Sequence, residues 1–147
     1  MKRSERRETI FRLLFMSQFC TDEELSERMT EYMAGVRGGL EEVPADGRVS
    51  AREEEDIRET IRRVAEHLPE IDADLNRVSR GWKTSRMGKV DLSILRLALY
   101  EIRFDDDVPT GVAINEAVEI AKKYDEPETA RFVNGILGAF VRGEIEA

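Results

Sequence analysis

The stretch from Val112 to Gly138, VAINEAVEIAKKYDEPETARFVNGILG, carries the clearest structural signal in this chain. Apolar side chains recur at steps of three and four residues before the turn Asp125-Glu126-Pro127, and they do so again after it. They are Ala113, Ala117, Ile120, Ala121 and Tyr124 in the first run and Phe132, Val133, Ile136, Leu137 and Phe140 in the second. This pattern predicts two amphipathic helices. Because the turn is short and offers an N-cap and a proline for the first turn of the second helix, we expect the two helices to be neighbours.

Polar side chains interrupt both apolar stripes, at Asn115, Glu116, Arg131 and Asn134. A polar residue within such a stripe gives up burial that an apolar residue would contribute to helix packing. These interruptions make this stretch the most informative part of the chain.

Start signals for further helices lie upstream. Ser4 can cap a first helix that reaches about Phe19. The runs Thr21-Asp22-Glu23-Glu24 and Ser50-Ala51-Arg52-Glu53 are capping boxes, in which a hydroxyl residue and a glutamate three positions later cap a helix start reciprocally. These two boxes predict a second and a third helix.

Glycine and proline residues separate the predicted helices. The segment from residue 35 to residue 49 contains four glycines and one proline, which predicts a long loop after the second helix. Pro69 ends the third helix, whose apolar stripe ends at Leu68. A fourth helix then carries Ile71, Leu75, Val78 and Trp82.

From about Val90 to Phe104 the chain is apolar on most of a helical circumference, which is typical of a central helix. A narrow polar stripe breaks this pattern at Lys89, Ser93, Arg96, Tyr100 and Arg103. The segment from Asp105 to Pro109 ends the helix. Because no alternating strand pattern of useful length occurs, we predict an all-α fold with about seven helices.

Length and composition restrict the class of protein. A chain of 147 residues is the size of one domain, so we expect residues 1–147 to form a single domain. The only cysteine, Cys20, cannot form an internal disulfide, which indicates a reducing cytoplasm. No apolar run approaches the roughly 20 residues that span a bilayer, and the charged N-terminus has no apolar signal segment behind it. We therefore expect a cytoplasmic protein with no membrane partner.

The residues needed for catalysis are scarce. His67 is the only histidine and Cys20 the only thiol, and neither lies in a nucleophile motif. Gly88-Lys89 lacks the other residues of a phosphate-binding loop. The acidic runs are explained as solvated helix ends, and Asp105-Asp106-Asp107 lacks the ligand spacing of a calcium loop. We predict no enzyme, no cofactor and no metal site.

The net charge of −8 argues against nonspecific coating of nucleic acid, but its distribution is uneven. Five basic residues, opposed only by Glu5 and Glu8, lie in the first twelve residues and are called here the basic arm: Lys2, Arg3, Arg6, Arg7 and Arg12. The arm either contacts phosphates or is a solvated helix end. Phe132 beside Arg131 could stack an unpaired base, although periodicity alone favours a core position for Phe132.

Four segments together resemble the NusB family of transcription antitermination factors. They are MKRSERRE at residues 1–8, RGWKTSRMGKVDLSILRLALYEI at residues 80–102, VAINEAVEIAKKY at residues 112–124 and RFVNG at residues 131–135. The resemblance covers nearly the whole chain. It implies two small helical bundles packed together.

The resemblance also implies a function. Members of this family bind the boxA element of nascent ribosomal RNA together with the small-subunit ribosomal protein that serves as NusE. The complex joins the RNA polymerase antitermination complex and promotes read-through of terminators. A basic ribosomal protein bound to an acidic adaptor is electrostatically sensible.

Site residues follow from the positions that match the family. Lys2, Arg3 and Arg7 match its RNA-binding N-terminus, while Arg6 matches more loosely. Arg131 and Phe132 match a second RNA-contact region. Asp91 and Glu128 match acidic residues at the junction with the NusE-like partner.

This chain departs from the family at the turn between the last two helices. Asp125 and Glu126 replace glycines that are common in relatives, and Ala130 replaces a larger residue. Because two added carboxylates near a phosphate path weaken RNA affinity, we expect the lone protein to bind RNA weakly. The alternative is a helical protein that forms a homodimer and does not bind RNA by itself.

Overall fold

The computed structural model describes residues 1–37, 49–79 and 87–143. Within them every regular element is an α-helix, which confirms the predicted all-α fold. Seven helices follow one another: α1 Arg3–Ser17, α2 Asp22–Arg37, α3 Ala51–Glu66, α4 Leu68–Val78, α5 Lys89–Phe104, α6 Thr110–Tyr124 and α7 Pro127–Val141. The chain divides into two compact units, Met1–Arg63 and Val64–Ala147. None of the described helices is long and apolar enough to cross a membrane.

Helix α1 begins two residues earlier than it would if Ser4 were its N-cap. Lys2 is the N-cap, in extended conformation and without a side-chain cap, and its carbonyl accepts a 2.9 Å hydrogen bond from the Arg6 amide. The helix ends at Ser17 rather than near Phe19, because the amides of Gln18 and Phe19 turn back to Phe15 and Met16. Ile10, Leu13 and Leu14 are buried, as predicted.

Both predicted capping boxes are formed. The Thr21 amide donates to Glu24 Oε1 at 2.9 Å, and the Glu24 amide donates to Thr21 Oγ1 at 3.2 Å. Ser50 and Glu53 repeat this exchange at 2.9 and 3.1 Å. The backbone amide of Thr21 lowers the pKa of Glu24, and that of Ser50 lowers the pKa of Glu53. Local sequence alone therefore fixes where α2 and α3 begin.

The predicted loop over residues 35–49 starts too early. Helix α2 continues through Gly35 to Arg37, since a single glycine costs a helix only about 1 kcal/mol relative to alanine. The rest of the predicted loop lies mainly outside the described residues. Leu25, Met29 and Met33 form the buried face of α2.

Helices α3 and α4 meet at His67, two residues before the predicted break at Pro69, so Leu68 belongs to α4 and not to the α3 stripe. Helix α3 ends at Glu66, and Pro69 occupies the first turn of α4. Ile71, Leu75 and Val78 are buried on α4. The fourth expected member of this stripe, Trp82, lies outside the described residues.

Helix α5 is the central helix of the second unit, but its predicted polar stripe is not a solvated face. Ser93 and Tyr100 are buried, and Ser93 Oγ donates to the Lys89 carbonyl at 2.9 Å. Arg96 forms a bidentate pair with Asp72 at 2.9 and 2.8 Å. These polar residues join α5 to α4 and to its own backbone.

A second ion-pair cluster between α4 and α5 is centred on Asp74, which is buried. Arg103 donates to Asp74 Oδ2 at 2.6 Å, and Arg77 donates to Asp74 Oδ1. Because both carboxylate oxygens have a partner, burial of this charge is compensated.

Helices α6 and α7 pack as neighbours across a two-residue turn, as predicted. Ala113, Ala117 and Ala121 are buried on α6 and Val133 and Leu137 on α7. Pro127 opens α7, but the N-cap residue Glu126 makes no side-chain cap. Asp125 Oδ1 instead accepts a 2.8 Å hydrogen bond from the Glu126 amide.

Candidate functional site

Two of the five cations of the basic arm, Lys2 and Arg3, are exposed where α1 begins. Arg6 Nε donates to Asp56 Oδ2 at 2.7 Å, and its guanidinium also donates to Thr60 Oγ1 at 2.9 Å. Part of the positive charge predicted for the arm is therefore balanced by α3.

The positive charges of Arg12 and of the N-terminal amine are also paired with carboxylates. Arg12 donates to Glu8 Oε2 at 2.8 Å and to the Tyr32 hydroxyl at 3.1 Å. The Met1 amine lies 3.0 Å from Glu53 Oε2 and helps the Ser50 amide to lower the pKa of that carboxyl.

Arg7 does not lie on the surface of the arm. Its side chain is 7% exposed, because Arg7 lies three and seven residues before Ile10 and Leu14 on the buried face of α1. The helical period alone predicts this placement, whereas the family match predicts an exposed cation. Replacing Arg7 therefore changes packing as well as charge, so it is a poor probe of phosphate contact.

In the second unit, three predicted site residues come together. Asp91 in the first turn of α5 and Glu128 and Phe132 on α7 line one groove of about 230 Å³, called here the Phe132 groove. Met87, Gly88 and Thr129 complete its lining. The ring of Phe132 is half-buried. It is therefore neither a fully buried core residue nor a fully exposed stacking platform, the two alternatives that the sequence left open.

Asp91 is the electrostatically unusual residue of this groove. Its Oδ1 atom is buried and has no hydrogen-bond partner within the described residues. Burial, followed by the hydrogen bond and the charge of Asp125, raises the pKa of Asp91 from 3.8 to about 6. The Asp125 carboxyl is thus part of the site. The sequence marks Asp125 as a turn residue and as a departure from the family but not as a neighbour of Asp91, because that approach depends on tertiary packing.

Arg131 and Phe132 are consecutive but line different grooves, since adjacent helical residues point about 100° apart. Arg131 lines a groove of about 490 Å³ on α6 and α7, called here the Arg131 groove. Its other lining residues are Val118, Lys122, Pro127, Ala130 and Asn134. The two members of the predicted second RNA-contact region therefore serve separate surfaces.

Residues considered for catalysis or metal binding have structural roles. The His67 ring stacks on Phe104 with centroids 3.8 Å apart, and its Nδ1 lies 3.3 Å from Glu70. Cys20 Sγ donates to the Met16 carbonyl at 3.3 Å. Among the residues that the structure describes, no group of three or more His, Cys, Asp or Glu side chains could hold a metal ion.

Comparison with known proteins identifies similar chains. The NusB family model matches residues 4–142. Transcription antitermination protein NusB of Agathobacter rectalis is 46% identical over 140 residues, covering 95% of this chain and 99% of that protein. The structure of T. maritima NusB has TM-score 0.75 and 35% identity, covering 97% of this chain and 92% of that one. A structure of antitermination factors NusB and NusE in complex with dsRNA has TM-score 0.73 and 22% identity, covers 96% of each chain and shares the fold.

Proposed function

The chain belongs to the NusB family, and from this premise we propose that it is a transcription antitermination factor that binds boxA-type RNA of nascent ribosomal RNA. It acts together with a NusE-like small-subunit ribosomal protein and promotes read-through by RNA polymerase. The name of the similar A. rectalis protein supports the role in antitermination. The NusB, NusE and dsRNA assembly that shares this fold supports the choice of partners.

One observation in the structure carries the proposal. The Phe132 groove brings Asp91 and Glu128, which we assign to the partner, together with the Phe132 ring, which we assign to RNA. A carboxylate attracts the cations of a basic ribosomal protein, and an aromatic ring stacks on an unpaired base. A groove with both kinds of group suits a protein whose RNA and protein partners meet at one surface.

On the RNA side, the proposed contacts are the arm residues Lys2, Arg3, Arg6 and Arg7 together with Arg131 and Phe132. Lys2, Arg3 and Arg131 are exposed and available for phosphate contact. Arg6 reaches a phosphate only by leaving Asp56, and Arg7 offers a small accessible edge. This arrangement supports weak RNA binding by the lone protein, because few cations are available and nearby carboxylates compete for them.

On the protein side, Asp91 and Glu128 give the Phe132 groove a negative charge that a basic partner complements. Asp125 adds to this charge through its contact with Asp91. Complementary charges at an interface mainly increase the association rate. The protein acts as a non-catalytic adaptor in the cytoplasm, where nascent transcripts are made.

Terminator read-through tests the proposed function. A template that carries a boxA-like leader ahead of a terminator is transcribed with the NusE-like protein and the remaining elongation factors, with and without this chain. We expect read-through to increase only when the chain is present and the leader is intact. The same increase with a scrambled leader would contradict a boxA-dependent function.

A further inference from the structure

The Arg131 groove has cations at its rim. Lys122 on α6 and Arg131 on α7 both line it, and their side chains are 60% and 77% exposed. Lys122 Nζ lies 3.6 Å from Glu119, and an Arg131 nitrogen lies 3.7 Å from Glu128. Both pairs are long, exposed and within one helical turn, a class of ion pair that contributes little to stability. An anion that enters the groove can therefore displace them at small cost.

The floor of the same groove is apolar. It is formed by Val118, Pro127 and Ala130, of which Ala130 is buried. Asn134 adds an exposed side-chain amide, which can donate and accept hydrogen bonds at once. This residue is one of the polar interruptions of the α7 stripe. Helix packing does not explain a polar residue at this position, whereas a ligand in the groove could form hydrogen bonds with it.

From this lining we infer that the Arg131 groove binds one unpaired nucleotide of RNA. Its phosphate lies between Lys122 and Arg131, and its base covers the apolar floor within reach of the Asn134 amide. Guanidinium and ammonium groups suit a phosphate, and an exposed amide suits a base edge. The inference rests on the proposed function and extends it, because it adds Lys122 and Asn134 to the RNA contacts. The same two cations oppose docking of a basic protein segment.

The adjacent residue Lys123 provides a matched control. It carries the same charge on the same helix, but its amine lies 5.7 Å from the centroid of the Tyr124 ring and it does not line the groove. Lys122→Ala and Lys123→Ala therefore remove the same charge from neighbouring positions. Both side chains are exposed, so both variants should fold, and thermal melting checks this.

The experiment measures binding of a single-stranded boxA-like RNA to the complex of full-length protein and NusE-like partner at several salt concentrations. Lys122→Ala should weaken binding about three- to tenfold for boxA and scrambled RNA alike, and should reduce the slope of log affinity against log salt by roughly 0.7, the value for one phosphate of a single strand. Lys123→Ala should change the affinity less than twofold. Asn134→Ala should reduce the preference for boxA about threefold without changing the salt slope, because it removes a neutral group.

Equal effects of Lys122→Ala and Lys123→Ala would overturn the inference while leaving the proposed function intact, because wild-type protein would still bind boxA RNA. A wild-type complex that fails to bind boxA RNA would overturn both. If Lys122→Ala weakened binding of the partner protein and left RNA affinity unchanged, the groove would belong to a protein contact, and the inference would again be wrong.

Discussion

Asp91 is half-buried in the second unit and interacts with the Asp125 carboxyl, and this environment makes stability depend on pH. The folded protein holds the pKa of Asp91 at about 6, above the ordinary value of 3.8. Between these values the folded state binds more protons than the unfolded state. The free energy of unfolding therefore falls as pH rises from about 4 to about 6. At pH 7 the ionised Asp91 side chain destabilises the folded state to its full extent.

Asp91→Asn should remove this cost. We expect the free energy of unfolding of the variant to exceed that of wild type by on the order of 1 kcal/mol at pH 7, a value reduced for solvent screening of a half-buried group. At pH 4 the two proteins should differ little. Urea unfolding at the two pH values measures the difference. Asp106→Asn, at an exposed position in the turn before α6, is the control and should not reproduce this pH dependence. If Asp91→Asn raised the free energy of unfolding equally at both pH values, ionisation of Asp91 would not be the cause of the added stability.

Phe132 is half-buried in its groove, so truncation should affect binding more than folding. Phe132→Ala should cost about 1 kcal/mol of stability, well below the 3 to 5 kcal/mol of a fully buried phenylalanine. The loss of a stacked base should reduce RNA affinity by about 1 to 3 kcal/mol. Leu137→Ala, at a fully buried position of the same helix, should lower stability strongly and change RNA affinity little. A large melting shift with RNA affinity preserved would place Phe132 in the core.

Sequence alone identified the types of residue at these sites but not their neighbours. Phe132, Asp91 and Glu128 came from the family resemblance, and the shared groove that joins them appeared only in the structure. Arg7 and Asp125 show why. The helical period predicts that Arg7 is buried, whereas its charge predicts that it is exposed, and the period is right. The pairing of Asp125 with Asp91 depends on how α5 meets the turn between α6 and α7.

Among the elements, the contact between α1 and α3 controls how much of the basic arm is available. Arg6 is bound by Asp56 and Thr60, so a phosphate must compete with a carboxylate for the same guanidinium. Asp56→Asn should release Arg6 and increase affinity for boxA and scrambled RNA alike by about threefold, with a steeper salt dependence. Filter binding at two salt concentrations measures both effects.

The neighbouring residue Glu55 is the control for this change. It is an exposed carboxylate on the same turn of α3, and Glu55→Gln removes one charge without touching Arg6. If Glu55→Gln raised RNA affinity as much as Asp56→Asn, the effect would come from net charge, and competition for Arg6 would be excluded.

Helix boundaries were predictable where local chemistry fixes them. The two capping boxes and Pro69 involve residues within a few positions of each other, so their effect does not require the fold. The start of α1 and the end of α2 were less predictable. Ser4 is a better N-cap residue by type, but Lys2 is the N-cap in the structure. The cost of Gly35 to helix stability is small enough for the surrounding structure to offset.

For the whole molecule, helical periodicity was sufficient to predict an all-α chain of about seven helices, because each amphipathic stripe is a local signal. Net charge was a poorer guide. An overall charge of −8 describes an acidic protein, yet within the second unit Lys122 and Arg131 line one groove while Asp91 and Glu128 line another. Grooves arise from packing between helices, so their charge is not apparent from composition.

As an adaptor, this chain should bind its RNA and protein partners cooperatively. The most direct measurement is the dissociation constant for a boxA-like RNA with and without a saturating NusE-like partner, at one fixed salt concentration. We expect the partner to tighten RNA binding at least about tenfold, and RNA to tighten partner binding by the same factor, because coupling between two sites is reciprocal. Equal RNA affinity with and without the partner, or equal affinity for boxA and scrambled RNA, would contradict the account.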